Sequence, residues 1–261
     1  MNIIVCVKQV PDTNEVRIDP KTGTLVRDGV PSIMNPDDKA ALEFALEIKD
    51  KTPDAKITVV SMGPPQAEDV LHEALAMGAD DAVLVTDRKF GGADTYATSK
   101  TIAAAITNLD YDLIVCGRQA IDGDTAQVGP EIAEHLQIPN ISYAASVEVE
   151  GKSVLVKRVF ADGYQMVRAN MPCLVTALGE AVKPRYMTPG AIFNAFDNCE
   201  VRWLTRDDVP LEDDQIGMTG SPTRVAQSFP KAVKEPGKTI NAGVDESVQY
   251  IIDRLTEKYL V

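Results

Sequence analysis

The sequence predicts an α/β fold: a doubly wound, mostly parallel sheet with a β-hairpin extension, followed by a C-terminal arm and helix. Short apolar runs alternate with helical apolar patterns up to residue 136, which is the order that parallel βαβ units require. From Ser142 onward, apolar and polar residues alternate on both sides of a Glu-Gly-Lys turn at residues 150–152, which indicates an antiparallel hairpin. Residues 179–242 hold many of the prolines and glycines, as is typical of a functional loop or an arm that packs on another chain.

The elements of the first half follow from apolar patterns and start signals. Residues 2–7 form a continuous apolar run, as expected of a buried parallel strand, and residues 14–31 have the turn residues of a small hairpin. Residues 35–38, Asn-Pro-Asp-Asp, predict a helix start, because they offer a cap, a proline in the first turn and acids at the positive end of the dipole. Further strands are predicted over residues 56–62, 81–85 and 111–116, and further helices over residues 66–77, 95–108 and 128–136.

The later elements follow the same rules. After the hairpin, residues 164–169 predict another strand, and residues 171–178 predict a buried one. Residues 245–259 predict an amphipathic helix, because its apolar residues recur at helical spacing. The apolar face of that helix consists of Val248, Ile251, Ile252 and Leu255.

Composition and charge exclude several classes of protein. With 261 residues, of which 44% are apolar, the chain can bury one substantial core. Its net charge of −13 argues against nucleic acid or an anionic membrane surface as a partner; a basic protein partner and an ordinary acidic surface are both compatible with it. No stretch approaches the ~18 apolar residues of a spanning helix, so we expect no membrane insertion. The four cysteines have no metal-site spacing and indicate free thiols in a reducing cytoplasm.

Separate loops are predicted to form one composite site. Right-handed crossovers bring the ends of parallel strands to the same edge of the sheet, where open α/β sheets bind ligands. The loops concerned are residues 6–9, 35–38, 62–64, 91–95 and 117–128. In the last of them, glycines allow tight backbone, and the free N–H groups at the following helix start favour a phosphate. An ordinary strand-to-helix turn would account for the same residues.

Other chemical motifs fail on spacing. Residues 151–153 and 237–239 resemble the end of a P-loop, but Ser146 and Ala232 stand where its first glycine is needed. We find no GxGxxG fingerprint and no nucleophilic serine elbow. Asp122 and Asp124 offer the side chains of a general acid and base, but loop capping explains them better.

Five strings carry a resemblance to a known family. GRQAIDGDTAQVG at residues 117–129 resembles the adenine-nucleotide loop of the electron transfer flavoprotein beta subunit. The other matching strings are VCVKQVPDT at residues 5–13, IMNPDDKAALE at 33–43, MPCLVTAL at 171–178 and KPRY at 183–186. Their order and spacing agree with the family from the first strand to at least the C-terminal third.

The resemblance implies a heterodimer with an alpha subunit and a nucleotide in the composite site. The backbone N–H groups of residues 124–127 and the Thr125 hydroxyl are the candidate phosphate contacts. The residues implied to bind the cofactor are Cys6, Asn35, Asp37, Asp38, Met62, Gly63, Gly91, Gly92, Asp94, Thr95, Gly117, Arg118, Gln119, Ala120, Ile121, Asp122, Gly123, Asp124, Thr125, Ala126, Gln127 and Val128.

Members of the family differ in the nucleotide that the beta subunit holds. In bifurcating members it is FAD, which takes hydride from NADH and sends one electron to ferredoxin or flavodoxin and the other, through the alpha-subunit FAD, to an acyl-CoA dehydrogenase or a similar partner; in simple electron carriers it is structural AMP. Residues 62–65, 90–95 and 128–131 resemble the bifurcating type. Gly91 and Gly92 would leave room for a tricyclic ring and a nicotinamide, which AMP does not require, although a flexible loop is the alternative explanation. The AMP-binding carrier remains the alternative.

The resemblance also divides the chain. Residues 1–178 are expected to be the nucleotide-binding α/β domain, residues 179–242 a partner-docking loop and an arm reaching the alpha subunit, and residues 243–261 a C-terminal helix. Pro189 stands where mitochondrial-type members have the leucine that anchors the dehydrogenase, so the partner's identity is left open. The subunit is expected to be inactive alone. A stand-alone nucleotide-binding regulator is the rival of another class, and it would lack the Pro-rich arm.

Overall fold

The computed structural model describes residues 1–12, 31–226 and 236–261. By its internal contacts the chain forms two compact units, Met1–Gln227 and Ser228–Val261. The hairpin predicted over residues 14–31 lies, except for Pro31, outside the described residues. Among the described residues, no helix combines the length and the apolar character needed to cross a bilayer.

The first unit is built on a large mixed sheet, which confirms the predicted α/β class. The strands of the described residues are β1 (Asn2–Cys6), β2 (Gln9–Pro11), β3 (Ser32–Met34), β4 (Lys56–Met62), β5 (Asp81–Val85), β6 (Leu113–Gly117), β7 (Asn140–Glu150), β8 (Ser153–Phe160), β9 (Gly163–Asn170), β10 (Cys173–Ala177) and β11 (Arg202–Leu204). In its described part the sheet has nine strands in the order β11-β5-β4-β1-β6-β10-β7-β8-β9. The seven strands from β11 to β7 run parallel, whereas β8 and β9 continue antiparallel as the predicted hairpin extension.

Helices cover both faces of the parallel part, so the sheet is doubly wound. The helices are α1 (Pro36–Lys51), α2 (Glu68–Met77), α3 (Thr95–Ile106), α4 (Val128–Leu136), α5 (Pro189–Asn198) and α6 (Val244–Glu257). Leu42 and Leu71 of α1 and α2 are buried in one apolar cluster, and Ile102 and Ile132 of α3 and α4 in the cluster on the opposite face. Parallel strands with continuous apolar runs need this double cover.

Three short strands differ from the predictions. β2 and β3 form a separate antiparallel pair of three residues each, and β11 adds a parallel edge strand beside β5. Three residues are too few to show a period of two, so the sequence gives no signal for them. The predicted helix over residues 66–77 begins with a 3-10 turn at Pro65–Ala67, and the predicted final helix over residues 245–259 is confirmed as α6.

Residues 179–226 pack largely on the sheet domain itself. Helix α5 lies against α2, and Val209 and Ile216 are buried in the cluster under α3 and α4. The proposed docking role of this region stays a prediction. Within the second unit, the apolar face of α6 is about half exposed at Val248 (50%) and Ile251 (56%).

Candidate functional site

The topology identifies the edge of the sheet at which a ligand is expected. From β1 the chain proceeds to β4 and β5 on one side, and it then returns to β6 on the other side of β1. Open α/β sheets bind ligands in the crevice outside the carboxyl ends of the strands at such a switch point. The crevice between the ends of β1 and β6 is therefore the candidate site.

Asp38, in the first turn of α1, joins the two strands that border this crevice. Its Oδ2 accepts the Lys8 N–H at 2.9 Å, just after β1, and its Oδ1 accepts the Gly117 N–H at 3.0 Å, at the end of β6. A Cβ on Gly117 would lie 2.2 Å from Oδ1, so this position requires glycine. Burial raises the pKa of Asp38 to about 7, because the loss of hydration outweighs the hydrogen bonds that favour the ionised form.

Asp37 makes a similar close approach after β10. A Cβ on Gly179 would lie 2.3 Å from Asp37 Oδ1. The Arg118 Nε lies 3.3 Å from Asp37 Oδ2 and forms an ion pair with it. Burial raises the pKa of Asp37, and the guanidinium of Arg118 only partly offsets this. The two acids predicted to complement the helix dipole thus also fix the ends of three strands.

Asn35 braces the main loop, residues 117–127. Its Nδ2 donates to the Gln119 carbonyl at 2.8 Å, and its Oδ1 accepts the Ile121 N–H at 3.1 Å. Asn35 occupies the N-cap position of α1, as predicted, but its side chain makes no capping hydrogen bond to the helix. Asn35 is fully buried, and the two bonds therefore satisfy both ends of an amide that would be costly to leave unpaired.

The two loop aspartates are held by partners within the chain. Lys8 Nζ lies 2.7 Å from Asp122 Oδ1, and Gln119 Nε2 donates to Asp124 Oδ1 at 2.9 Å. These contacts are what a structural role in the loop requires.

The backbone N–H groups of residues 125–127, at the end of the main loop, form a candidate cradle for an anion. Asp124 and Ala126 have φ values of 50° and 54°, in the left-handed region that non-glycine residues seldom adopt. A left-handed residue followed by the right-handed Gln127 turns successive N–H groups toward one point. Asp124 N–H donates to the Ala120 carbonyl, but no hydrogen bond within the described residues uses the N–H groups of residues 125–127. Helix α4 begins at Val128, directly after these residues, so its positive end adjoins these N–H groups.

The loop before α3 contacts the residues of this cradle through a side-chain hydrogen bond. Thr95 Oγ1 donates to Gln127 Oε1 at 3.0 Å. Gly92 has a φ of 72°, and a Cβ there would lie 2.9 Å from Met218 Cε. Gly91 has an ordinary φ of −63°. The glycine pair predicted to leave room for a ring is thus partly covered, at Gly92, by the side chain of Met218.

The remaining predicted residues lie at the same edge. Cys6 ends β1 directly opposite Cys116 of β6, and Met62 ends β4, where the following Gly63 N–H donates to Val85. Each of the four cysteines is a free thiol. Among the described residues, no three His, Cys, Asp or Glu side chains are grouped to hold a metal ion.

The sequence predictions missed several residues that organise the site. Gly179 and Met218 contact predicted site residues from outside the predicted loops, whereas Lys8 lies in the predicted loop of residues 6–9 but was not among the predicted binding residues. Ser221 and Thr223 contact Asp94 from more than a hundred residues away, a pairing that no local pattern encodes.

The fold and the candidate site together define an open α/β domain with a candidate anion cradle at its switch point, an arrangement typical of nucleotide-binding domains. Residues 22–196 match the model of the electron transfer flavoprotein domain. The chain is 56% identical over 261 residues to the electron transfer flavoprotein subunit beta of Clostridium acetobutylicum, with both chains covered completely. It is 49% identical over 263 residues to the caffeyl-CoA reductase-Etf complex subunit CarD of Acetobacterium woodii, again with complete coverage. It is 48% identical over 269 residues to the acryloyl-CoA reductase electron transfer subunit gamma of Anaerotignum propionicum, with complete coverage of both.

The chain therefore belongs to the electron transfer flavoprotein family, as a beta subunit of such a complex. Beta subunits of this family pair with an alpha subunit. The predicted family is confirmed.

Proposed function

We propose that this chain is the beta subunit of a bifurcating electron transfer flavoprotein and that it holds FAD at the switch-point crevice. When bound, that FAD takes electrons from NADH and delivers one to ferredoxin or flavodoxin and one, through the alpha-subunit FAD, to an acyl-CoA dehydrogenase-type partner. The role of this chain is to bind and orient the cofactor. The observation that carries the proposal is the candidate anion cradle formed by the backbone of residues 125–127, in a chain of this family.

The donors at the crevice fit a nucleotide phosphate. The unused N–H groups of residues 125–127 and the exposed Thr125 side chain supply hydrogen-bond donors without a cationic side chain. The side chains of Asn35, Asp37 and Asp38 contact residues 117–119 at the start of the main loop. These contacts fix the position of the loop. A cradle held in this way loses little entropy when the ligand binds.

The names of two relatives indicate which class of enzyme receives the electrons. CarD is named as a subunit of a caffeyl-CoA reductase complex, and the Anaerotignum propionicum relative as an electron transfer subunit of acryloyl-CoA reductase. Both names place the relatives beside enzymes that reduce CoA esters. A flavin enzyme of the acyl-CoA dehydrogenase type is accordingly the partner we propose here.

Two contacts within the chain support residues 184–198 as the docking surface for that partner. Arg185 Nε lies 2.9 and 3.1 Å from the two carboxylate oxygens of Glu43, so the start of the segment is held on α1. His72 of α2 stacks on Phe196, with ring centroids 4.8 Å apart. Phe193 of the same helix is left 69% exposed, an aromatic side chain of the kind that anchors protein interfaces.

A simple carrier with AMP in the site is the second candidate, and one observation favours it. The cradle suits the phosphate of AMP as well as that of FAD, and Met218 lies over Gly92, where the ring was expected. Its 62% exposed side chain would have to move aside for a nicotinamide or a flavin ring.

Replacing Gly92 with leucine in the heterodimer should slow NADH-dependent flavin reduction by about tenfold or more while leaving the nucleotide content unchanged. The new side chain would occupy the space between residues 90–95 and Met218, through which we propose that the nicotinamide approaches. Stopped-flow absorbance of the flavin under NADH measures the rate, and dithionite reduction checks that the flavin itself is intact.

Gly151→Leu is the matched control. Gly151 also has a left-handed φ, 62°, but it lies in the β7–β8 turn, and a Cβ there would meet nothing within 4 Å among the described residues. It shares the backbone strain of about 1–2 kcal/mol without touching the crevice. Equal NADH rates in wild type and Gly92→Leu would contradict a nicotinamide site at this loop.

A further inference from the structure

We infer that Asp94 is a positioning residue that joins the rim of the nucleotide crevice to the segment leading into the C-terminal arm. We call the contacts of Asp94 with Ser221 and Thr223 the Asp94 junction. The inference rests on the proposed nucleotide site. It adds that the retention of the nucleotide is coupled to how well residues 217–223 are held in their observed conformation.

The junction consists of hydrogen bonds between distant parts of the chain. Asp94 Oδ2 accepts the Thr223 N–H at 2.9 Å and the Thr223 hydroxyl at 2.8 Å. In return, Asp94 N–H donates to Ser221 Oγ at 2.8 Å, and that hydroxyl donates to the Gly217 carbonyl at 2.7 Å. Partial burial raises the pKa of Asp94, but the hydrogen bonds donated by Ala97 and Thr223 outweigh this effect and hold the pKa below its ordinary value.

The packing around the junction is close. Ser221 is buried, and a Cβ on Gly217, whose φ is 55°, would lie 2.0 Å from the Lys89 carbonyl. Lys89 Nζ lies 2.8 Å from Asp213 Oδ2, which adds an ion pair at the surface. Residues 213–223 are therefore seated on the loop that precedes α3 through backbone contacts as well as side chains.

A short chain of bonds leads from the junction to the cradle. Asp94 Oδ1 accepts the Ala97 N–H at 3.0 Å and so caps α3. The next residue, Thr95, donates to Gln127, which directly precedes α4. A shift of Thr223 would thus displace the start of α3 and, through Thr95, the side of the cradle.

Both carboxylate oxygens of Asp94 are already bonded within the chain, so its role differs from the direct cofactor contact predicted from the sequence. The Asp94 junction holds residues 217–223 in place. In doing so it favours the conformation of residues 90–95 in which the crevice binds the nucleotide. By linkage, a bound nucleotide then stabilises the same segment to the same extent.

Thr223→Val and Ser221→Ala, singly and together in the alpha–beta heterodimer, test the inference. Thr223→Val removes a hydroxyl and keeps the shape and the N–H, so the fold is expected to survive. The nucleotide that copurifies should leave about tenfold faster in the double variant, because three hydrogen bonds made by the Thr223 and Ser221 hydroxyls are lost. Release is followed by dilution and chromatography of the freed nucleotide, and hydrogen exchange is measured at residues 88–97.

Thr188→Val is the matched control, because Thr188 Oγ caps α5 by accepting the Ala191 N–H at 3.2 Å, away from the crevice. Faster release and faster exchange at residues 88–97 in the junction variants alone would support the inference. Release at the wild-type rate, or equal acceleration in Thr188→Val, would overturn it while leaving the proposed nucleotide site intact. A wild-type heterodimer that holds no nucleotide and takes up neither AMP nor FAD would overturn the proposed function, and the inference with it.

Discussion

Gly117→Ala is expected to destabilise the protein by about 3 kcal/mol or more, which is enough to prevent accumulation of folded heterodimer. The added Cβ would lie 2.2 Å from Asp38 Oδ1, 2.6 Å from Asp38 N and 2.7 Å from the Asp37 carbonyl carbon. Two of these three atoms belong to the backbone of the first turn of α1, so no side-chain rotation relieves the overlap. Urea denaturation of the heterodimer, with the yield of soluble protein, measures the loss.

Gly123→Ala is the control for this prediction. Gly123 lies in the same loop, and a Cβ there would meet no atom of the described residues within 4 Å. We expect its effect to stay within about 0.5 kcal/mol. Adding Asp38→Ala to Gly117→Ala should recover little stability, because the backbone overlaps remain. Full recovery in that double variant would show that the carboxylate alone sets the requirement for glycine.

The second large effect is a pH dependence of stability that originates at Asp38. Its folded-state pKa of about 7 lies above the ordinary value of 3.8, so the folded protein holds one more proton than the unfolded chain between about pH 4 and pH 7. Stability from this group is fully present below pH 4 and is lost as pH rises through 7, with a slope of up to about 1.4 kcal/mol per pH unit and a total of order 4 kcal/mol. Asp38→Asn should remove this slope.

The measurement is the free energy of unfolding of both proteins from pH 4 to pH 8. Their difference is the readout, because the other acids titrate in wild type and variant alike. Asp213→Asn provides a control of opposite sign, because Lys89 and Arg206 lower the pKa of Asp213 and its stabilising contribution is lost on acidification. A constant difference between wild type and Asp38→Asn across this range would contradict a raised pKa at Asp38.

The parallel core was predictable because burial on both faces leaves a direct trace in the sequence. Strands β4 and β5 coincide with the predicted residues 56–62 and 81–85, since each is an apolar run bounded by polar or turn residues. The location of the predicted loops at one edge of the sheet was also predictable, because right-handed crossovers bring the loops after successive parallel strands together.

The bonds that join those loops were not predictable from local patterns. The helix-start rules place Asn35 and Asp38 at the first turn of α1, and they do lie there. Their side chains nevertheless bond to residues 8, 117, 119 and 121, which become neighbours only when the sheet forms. The same limit applies to Met218, whose contact with Gly92 changes what that glycine pair implies about the site.

The nucleotide content of the co-expressed heterodimer tests the central claim most directly. The complex is denatured, and the released nucleotides are separated and quantified by chromatography against the protein concentration. We predict two FAD per heterodimer, one of them in this subunit, and reduction of the bound flavin by NADH. One FAD and one AMP per heterodimer would contradict the bifurcating function and identify the chain as the beta subunit of a simple electron carrier.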